Sequence, residues 1–213
     1  LHGWFINREM SPEHPLIIYY GGNAEEVSNN LFDLEKYEKE SLLFMNYRGY
    51  GKSTGNPSQA NIFSDALFIF DHFSDTYSIP STNIILMGRS LGTAVATYVA
   101  KLRNIKAVIL ISPFDSLVNI AKEHYPVFPV KLLLKHPFES VQIAQEITSP
   151  MITIIAGQDR IISNERSVAL VEHWGGESNY VIIKDAGHNT ISIYPQYWDT
   201  LKLFLSEMEK RSA

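Results

Sequence analysis

The sequence predicts an α/β fold in which a mostly parallel central sheet is flanked by helices on both faces. Short apolar segments alternate with helical patterns along most of the chain, which is typical of parallel sheets. The apolar segments are almost continuously hydrophobic, as expected for strands that are buried on both sides. The length of 213 residues suits one domain with a substantial core. We therefore expect a single domain over residues 1–213.

Six segments have the length and composition of buried strands, being rich in Ile, Val, Leu and Tyr. They are residues 16–20, 41–47, 83–88, 107–112, 151–157 and 179–184. Residues 1–6 are expected to form a further strand at an edge of the sheet. Helices are expected at residues 60–73, 91–102, 163–174 and 195–210, where apolar side chains recur on one face.

One segment, residues 117–150, interrupts this alternation. It separates two predicted strands and contains Pro126, Pro129, Pro137 and Pro150, which limit the length of any helix. We expect a short helical lid insertion over the sheet rather than a second domain.

The overall composition excludes several classes of function. Lys and Arg number 18 against 23 Asp and Glu, and no concentrated basic face is evident, which argues against nucleic acid as a partner. The absence of cysteine excludes disulfides, thiolate metal sites and cysteine nucleophiles. No apolar run approaches the roughly 18 residues of a membrane span. We expect a cytoplasmic protein, although a chain that begins at Leu1 leaves room for an upstream signal or anchor.

The clearest chemical motif is Gly88-Arg89-Ser90-Leu91-Gly92, which matches G-x-S-x-G. It lies between a predicted strand and a predicted helix, where a serine on a tight turn can project above the sheet edge. Side chains two residues to either side would collide in such a turn, so glycine occupies both positions. We therefore predict that Ser90 is a nucleophile.

A second match to the same pattern surrounds Ser53, at residues 51–55. Gly55 and Pro57 follow it closely and disfavour a helix there, so the strand–turn–helix context is missing. The Gly-Lys-Ser sequence at 51–53 also resembles the end of a phosphate-binding P-loop, but position 46 is Asn rather than the required glycine. A glycine-rich turn with Arg48 paired locally is the better interpretation.

A serine nucleophile needs a base, which a third group must orient. His188 follows the last predicted strand and is therefore expected at the same sheet edge as Ser90. Asp159 follows the strand at 151–157 and is the preferred acid. Asp115, which follows the strand at 107–112, is an alternative acid. Another histidine, His124, lies in the predicted lid and could contact substrate.

An oxyanion hole requires two main-chain N–H donors directed at the developing negative charge. Leu91, directly after the predicted nucleophile, should supply one. Asn23 should supply the other, because Gly21 and Gly22 let the main chain approach closely after the strand at 16–20.

Several motifs, in this order and across most of the chain, resemble those of the small, nearly lidless α/β-hydrolase-fold serine hydrolases related to mammalian protein depalmitoylases. They are Gly21-Gly22-Asn23-Ala24, Asn46-Tyr47-Arg48-Gly49-Tyr50-Gly51-Lys52-Ser53, Gly88-Arg89-Ser90-Leu91-Gly92, Ser112-Pro113-Phe114, Gly157-Gln158-Asp159 and Ala186-Gly187-His188. The chain departs from that family at Gly21, where His is usual, and at Ile162 and Ser163, where a small aliphatic residue and Pro are common.

The resemblance implies hydrolysis of a carboxylic ester or thioester of a small-molecule or acylated substrate, without cofactor or metal. A peptidase or acyltransferase would use the same residues and differ only in leaving group or acceptor. A hydrolase-fold binding module without activity is a further alternative, which the intact set of Ser90, Asp159 and His188 disfavours.

Overall fold

The computed structural model describes residues 1–8 and 14–211, which form a seven-stranded sheet with helices packed on both faces. The strands are β1 (Gly3–Ile6), β2 (Leu16–Tyr20), β3 (Ser41–Met45), β4 (Ile84–Arg89), β5 (Ala107–Ile111), β6 (Met151–Ala156) and β7 (Ser178–Ile183). The helices are α1 (Gln59–Thr76), α2 (Leu91–Leu102), α3 (Leu117–His124), α4 (Val130–Leu133), α5 (Val141–Ala144), α6 (Asn164–Glu172) and α7 (Pro195–Lys210). Within the described residues, no helix is both long enough and apolar enough to cross a bilayer.

The sheet has the strand order β1-β3-β2-β4-β5-β6-β7. Only the edge strand β1 runs antiparallel, against β3, and the other pairs are parallel. The predicted mostly parallel α/β fold is therefore confirmed. Because parallel strands end at the same edge, the loops after β2, β4, β5, β6 and β7 converge there.

The core has two layers, one on each face of the sheet. Leu16, Ile18 and Tyr20 of β2 pack on one side together with residues of α1 and α2. The intervening Ile17 and Tyr19 pack on the other side with residues of α7. Burial on both faces explains why these strands are continuously apolar in sequence.

Serine side chains cap the N-termini of two helices near the site. Ser58 Oγ accepts a hydrogen bond from the Asn61 amide at 3.2 Å at the start of α1. Ser116 Oγ does the same for the Asn119 amide at 3.1 Å at the start of α3. Each bond satisfies an amide that has no acceptor within its helix, which fixes where the helix begins.

Two regions add detail that the sequence patterns lacked. A 3₁₀ helix that the sequence analysis did not predict covers Val27–Lys36. The predicted lid insertion, residues 117–150, contains the three short helices α3, α4 and α5. Its proline-rich composition is consistent with helices of this length.

Candidate active site

Ser90 lies on a sharp turn between β4 and α2, with the unusual main-chain angles φ 51° and ψ −117°. A Cβ atom on Gly92 would lie 1.9 Å from the main-chain oxygen of Tyr20, and one on Gly88 would lie 2.3 Å from that of Gly92. Neither position can hold a side chain without moving the main chain. The two glycines thus allow β2, β4 and α2 to pack closely while Ser90 occupies a strained conformation.

His188 connects Ser90 to Asp159. Its Nε2 lies 3.0 Å from Ser90 Oγ, and its Nδ1 lies 2.6 Å from Asp159 Oδ2. His188 is in the loop after β7 and Asp159 in the turn after β6, so each is presented at the carboxyl edge of the sheet. The imidazole and the carboxylate are both almost completely buried. This order of hydrogen bonds is the one that a serine–histidine–acid triad uses.

The turn after β6 holds the Asp159 carboxylate in its charged form. Burial by itself would raise the pKa of Asp159, but hydrogen bonds to the charged form outweigh it, so the pKa lies below its ordinary value of 3.8. One bond comes from His188, and the amides of Ile161 and Ile162 donate to Oδ1 at 2.8 and 2.9 Å. An ionised Asp159 can therefore orient the imidazole and stabilise it once it is protonated.

Asp115, the alternative acid, belongs to a different network. Its Oδ1 accepts from the Ser116 amide at 2.7 Å, and its Oδ2 accepts from Asn119 Nδ2 at 2.7 Å and from Arg166 Nη1 at 2.8 Å. Arg166 Nε also lies 2.9 Å from the carboxylate of Glu123. This network joins α3 and the residues before it to α6, whereas the carboxylate that contacts His188 is that of Asp159.

Ser53 is enclosed in a separate loop. Its hydroxyl donates to the main-chain oxygen of Asn46 at 2.9 Å and accepts from the amide of His2 at 2.8 Å. Arg48 binds Asp65 through two hydrogen bonds of 2.6 and 2.7 Å, in agreement with the local pairing predicted for it. Ser53 therefore serves as a hydrogen-bonding group within a turn, and no imidazole of residues 1–8 and 14–211 is among its hydrogen-bond partners.

The loop after β2 brings Asn23 to the cavity that Ser90 borders. Leu91 borders it as well, and as the first residue of α2 it has an amide without an acceptor in the helix. The carboxylate of Glu25 accepts from the Gly22 amide at 2.6 Å, which fixes the turn that carries Asn23. The loop is thus held by a carboxylate in a chain that has glycine where the related family usually has histidine.

Arg89 occupies the first unspecified position of the G-x-S-x-G motif, directly before Ser90, and was not predicted to take part in the site. Its guanidinium bonds Glu25 Oε2 at 3.1 Å and Asn189 Oδ1 at 2.8 Å. It also donates to the main-chain oxygen of His188 at 3.2 Å. Arg89 therefore links the loop after β2 with the loop that carries His188. The available signal in the sequence was a charged side chain at the end of an otherwise apolar strand.

A cavity of about 460 Å³ opens beside Ser90. Its walls are mainly apolar side chains from the strand ends, from α1 and from the 117–150 insertion. They include Ile62, Phe114, Leu117, Ile120, Leu134 and Phe138. Lys135 and His136 are also at this cavity. His124, which was predicted to contact substrate, does not line the cavity. Its Nε2 lies 3.0 Å from the main-chain oxygen of Ile161, and Ile161 does line the cavity.

Among the described residues, no three His, Asp or Glu side chains are grouped so that they could hold a metal ion.

The model of the serine hydrolase family matches residues 70–206, a span that includes Ser90, Asp159 and His188. The chain belongs to the serine hydrolase family. An uncharacterized protein of Mycobacterium tuberculosis is 30% identical over 97% of this chain and 75% of its own length. This serine hydrolase is also 30% identical to α/β-hydrolase domain-containing protein 17C of mouse, over 88% of this chain and 54% of that protein. It spans only about half of that vertebrate relative.

Solved structures confirm the α/β-hydrolase fold. The acetyl xylan esterase of Paenibacillus sp. R4 has a TM-score of 0.77 at 17% identity, covering 97% of this serine hydrolase and 79% of the esterase. The monoacylglycerol lipase of Paleococcus ferrophilus has a TM-score of 0.71 at 16% identity, covering 99% of each chain. These likenesses concern the fold. Together with the family match they confirm the resemblance to small α/β-hydrolase-fold serine hydrolases.

Proposed function

We propose that this serine hydrolase cleaves carboxylic esters or thioesters through an acyl-enzyme, with Ser90 as nucleophile, His188 as general base and Asp159 as the orienting acid. The observation that carries the proposal is the continuous set of hydrogen bonds from Ser90 Oγ to His188 Nε2 and from His188 Nδ1 to Asp159 Oδ2. An equivalent arrangement activates a serine in unrelated folds, because a hydroxyl is a poor nucleophile until a neighbouring base accepts its proton.

In the first half of the reaction, Ser90 Oγ attacks the carbonyl carbon of the substrate while its proton moves to His188 Nε2. The charged carboxylate of Asp159 stabilises the resulting imidazolium and keeps the Nδ1 proton directed at itself. The tetrahedral oxyanion is stabilised by the amides of Leu91 and Asn23, together with the positive end of α2. When the intermediate collapses, His188 gives its proton to the leaving alcohol or thiol.

In the second half, a water molecule replaces the leaving group. His188 takes a proton from the water, whose oxygen attacks the acyl carbon, and the second tetrahedral intermediate collapses to a carboxylic acid. The proton returns to Ser90 Oγ, which restores the starting state. Every proton that His188 accepts in either half of the reaction is given up again in the same half.

The cavity supports an apolar acyl group on the substrate. Its lining side chains beside Ser90 are mostly aliphatic or aromatic, and its volume is in the usual range for small-molecule sites. A peptidase or acyltransferase would form the same acyl-enzyme and differ in the amine released or in the acceptor that replaces water. A panel of ester, thioester and amide substrates separates these alternatives.

The test uses a fluorophosphonate probe, which reacts with activated serines. Wild-type protein should be labelled, and Ser90→Ala should not be. Ser53→Ala is the matched control, because it removes another serine hydroxyl from a G-x-S-x-G sequence and should leave labelling intact. Circular dichroism should show that both variants fold. Labelling that survives Ser90→Ala and disappears in Ser53→Ala would contradict the proposal, and a folded wild type that never labels would favour a binding module.

A substrate panel then defines the leaving group. We expect turnover of p-nitrophenyl esters and acyl thioesters of varied chain length, and loss of turnover in Ser90→Ala. Other triads lose as much as about 10⁶-fold in kcat when the serine is removed. Faster cleavage of the matching amides than of the esters would indicate a peptidase. Faster product formation with an added alcohol than with water alone would indicate an acyltransferase.

A further inference from the structure

Exposed apolar side chains are concentrated at one place on the 117–150 insertion. We define the insertion tip as residues 122–135, which lead from the end of α3 through α4. Its exposed apolar side chains are Tyr125, Val127, Phe128, Leu132 and Leu133. Elsewhere in the described chain, other exposed large apolar residues such as Phe32, Phe68 and Leu203 are spread over separate elements. Single exposed apolar residues are ordinary, whereas a cluster of them marks a contact surface.

Two apolar side chains of the insertion tip are almost fully exposed. Val127 is 85% exposed and Leu132 is 86% exposed, so neither side chain lies in a groove. The rings of Tyr125 and Phe128 are 6.5 Å apart, and the Phe128 amide donates to the main-chain oxygen of Tyr125 at 3.1 Å, so this turn holds the two aromatic rings together. Exposed aliphatic and aromatic side chains can insert into the apolar phase of a bilayer, because a fluid phase adapts to them and does not need a complementary pocket.

The charges on the insertion tip indicate the sign of the charge on its partner. Lys122, Lys131 and Lys135 are exposed, and none of them forms an ion pair within residues 1–8 and 14–211. The acidic Glu123 of the same segment is already paired with Arg166 at 2.9 Å. This basic segment belongs to a chain with a formal net charge of −5. A local cluster of lysines beside exposed apolar groups on an acidic protein favours an anionic surface.

The insertion tip is continuous with the cavity at Ser90. Leu134 and Lys135 belong to both. Ile161, which also lines the cavity, is about half exposed, and its main-chain oxygen lies 3.0 Å from Nε2 of His124 in the tip. A flat partner lying on the tip would therefore lie next to the cavity that Ser90 borders.

We propose that the insertion tip docks this serine hydrolase onto an anionic lipid bilayer, with Val127, Phe128 and Leu132 inserted among the lipids and the three lysines against the headgroups. The proposal depends on the exposed residues of the insertion and not on the proposed chemistry, so each can fail separately. Docking would place the apolar cavity at the membrane interface, where substrates with an acyl chain are concentrated.

The experiment is flotation of the purified chain with vesicles of phosphatidylcholine alone or of phosphatidylcholine mixed with phosphatidylglycerol. Wild type should float with the mixed vesicles and bind the neutral vesicles more weakly. The double variant Val127→Glu/Leu132→Glu should lower the partition coefficient by about tenfold or more, because it places charges in the apolar phase. Both side chains are highly exposed, so the fold should survive. Phe32→Glu changes an equally exposed apolar residue outside the tip and should bind as wild type does.

A second pair of variants tests the charges. Lys122→Gln/Lys131→Gln should weaken binding to the anionic vesicles by about tenfold while leaving binding to neutral vesicles nearly unchanged. High salt should have the same effect on wild type. Absence of wild-type flotation with anionic vesicles overturns the proposal, as does binding that Val127→Glu/Leu132→Glu and Phe32→Glu reduce equally. A dimer seen by analytical ultracentrifugation that Val127→Glu/Leu132→Glu dissociates would assign the tip to a second copy and also overturn it.

Discussion

The side chain of Arg89 donates to the main-chain oxygen of His188 at 3.2 Å, across 99 residues of sequence. The same guanidinium bonds the Glu25 carboxylate at 3.1 Å, and that carboxylate accepts from the Gly22 amide. Arg89 precedes Ser90 directly, so one side chain joins the strand end that carries the proposed nucleophile to the loops that carry the proposed base and the oxyanion donor.

Removing this link should reduce turnover more than substrate binding. We expect Arg89→Met to lower kcat by up to about 10²-fold with a smaller change in KM, since misplaced catalytic groups mainly weaken the transition state. Arg89 acts through its neighbours and so is a positioning residue. Arg89→Lys should recover part of the loss, because an ammonium can keep one of the contacts. The measurements are kcat and KM on the best ester found in the substrate panel.

Arg48→Met is the matched control for Arg89→Met. It breaks an arginine–carboxylate pair, with Asp65, that has hydrogen bonds of 2.6 and 2.7 Å but does not line the cavity. Its effect should be limited to a small loss of stability, which thermal unfolding would reveal. Equal losses of kcat in Arg48→Met and Arg89→Met would show that general destabilisation, rather than positioning, explains the result.

The two aspartates predicted as alternatives for the acid should behave differently. Asp159→Asn keeps the shape of the side chain but favours the wrong imidazole tautomer, and in another triad such a change costs about 10⁴-fold in kcat. Asp115→Asn weakens the pairing with Arg166 that joins the loop after β5 to α6, so it should mainly lower stability or substrate affinity. Steady-state kinetics on folded variants separates the two. A crippled Asp115→Asn beside an active Asp159→Asn would refute the assignment while leaving Ser90 unaffected.

The lowered pKa of Asp159 predicts a particular dependence of stability on pH. A carboxyl whose pKa is lower in the folded state than in the unfolded state stabilises the fold while it is ionised. That contribution is fully present above its ordinary pKa of 3.8 and is lost as the pH falls through the folded-state value. We therefore expect the difference in unfolding free energy between wild type and Asp159→Asn to be largest near neutral pH and to shrink below about pH 4. Urea titrations at several pH values measure it, and a difference that grows in acid would contradict this account.

Sequence patterns predicted the strands closely because their signal is local. Residues 107–112 and 151–157 were expected to be strands, and β5 and β6 each end one residue earlier. Helix α2 has the predicted bounds, since Gly92 must follow the turn and the Ala- and Val-rich segment then continues to Leu102. The N-terminal strand is likewise present as β1, shortened to Gly3–Ile6.

The parts that sequence patterns missed depend on contacts between distant residues. The start of the 3₁₀ helix at Val27–Lys36 is fixed by the Glu26 side chain, which accepts from the Ser28 amide, and by a tertiary hydrogen bond from the Val27 amide to Asn46 Oδ1 at 3.2 Å. Glu25 and Arg89 form a hydrogen bond although they are 64 positions apart, and no sequence pattern predicts a contact over such a separation. The choice between Asp115 and Asp159 was open for the same reason, because both follow strands that end at one edge. Only the three-dimensional arrangement shows which carboxylate reaches the imidazole.

The volume of the cavity should limit the length of the acyl group that it accepts. Ile120 and Leu117, both of α3, lie in the wall of the cavity. Ile120→Trp should fill part of the 460 Å³ volume and exclude long acyl chains before short ones. A steric change in an apolar pocket is worth about 10–200-fold in selectivity, so the ratio of kcat/KM for long over short p-nitrophenyl esters should fall by about that factor. Leu203→Trp, an exposed position on α7 at the other face of the sheet, is the control and should leave the ratio unchanged. If Ile120→Trp lowers kcat/KM equally for all chain lengths, the acyl chain does not occupy this cavity.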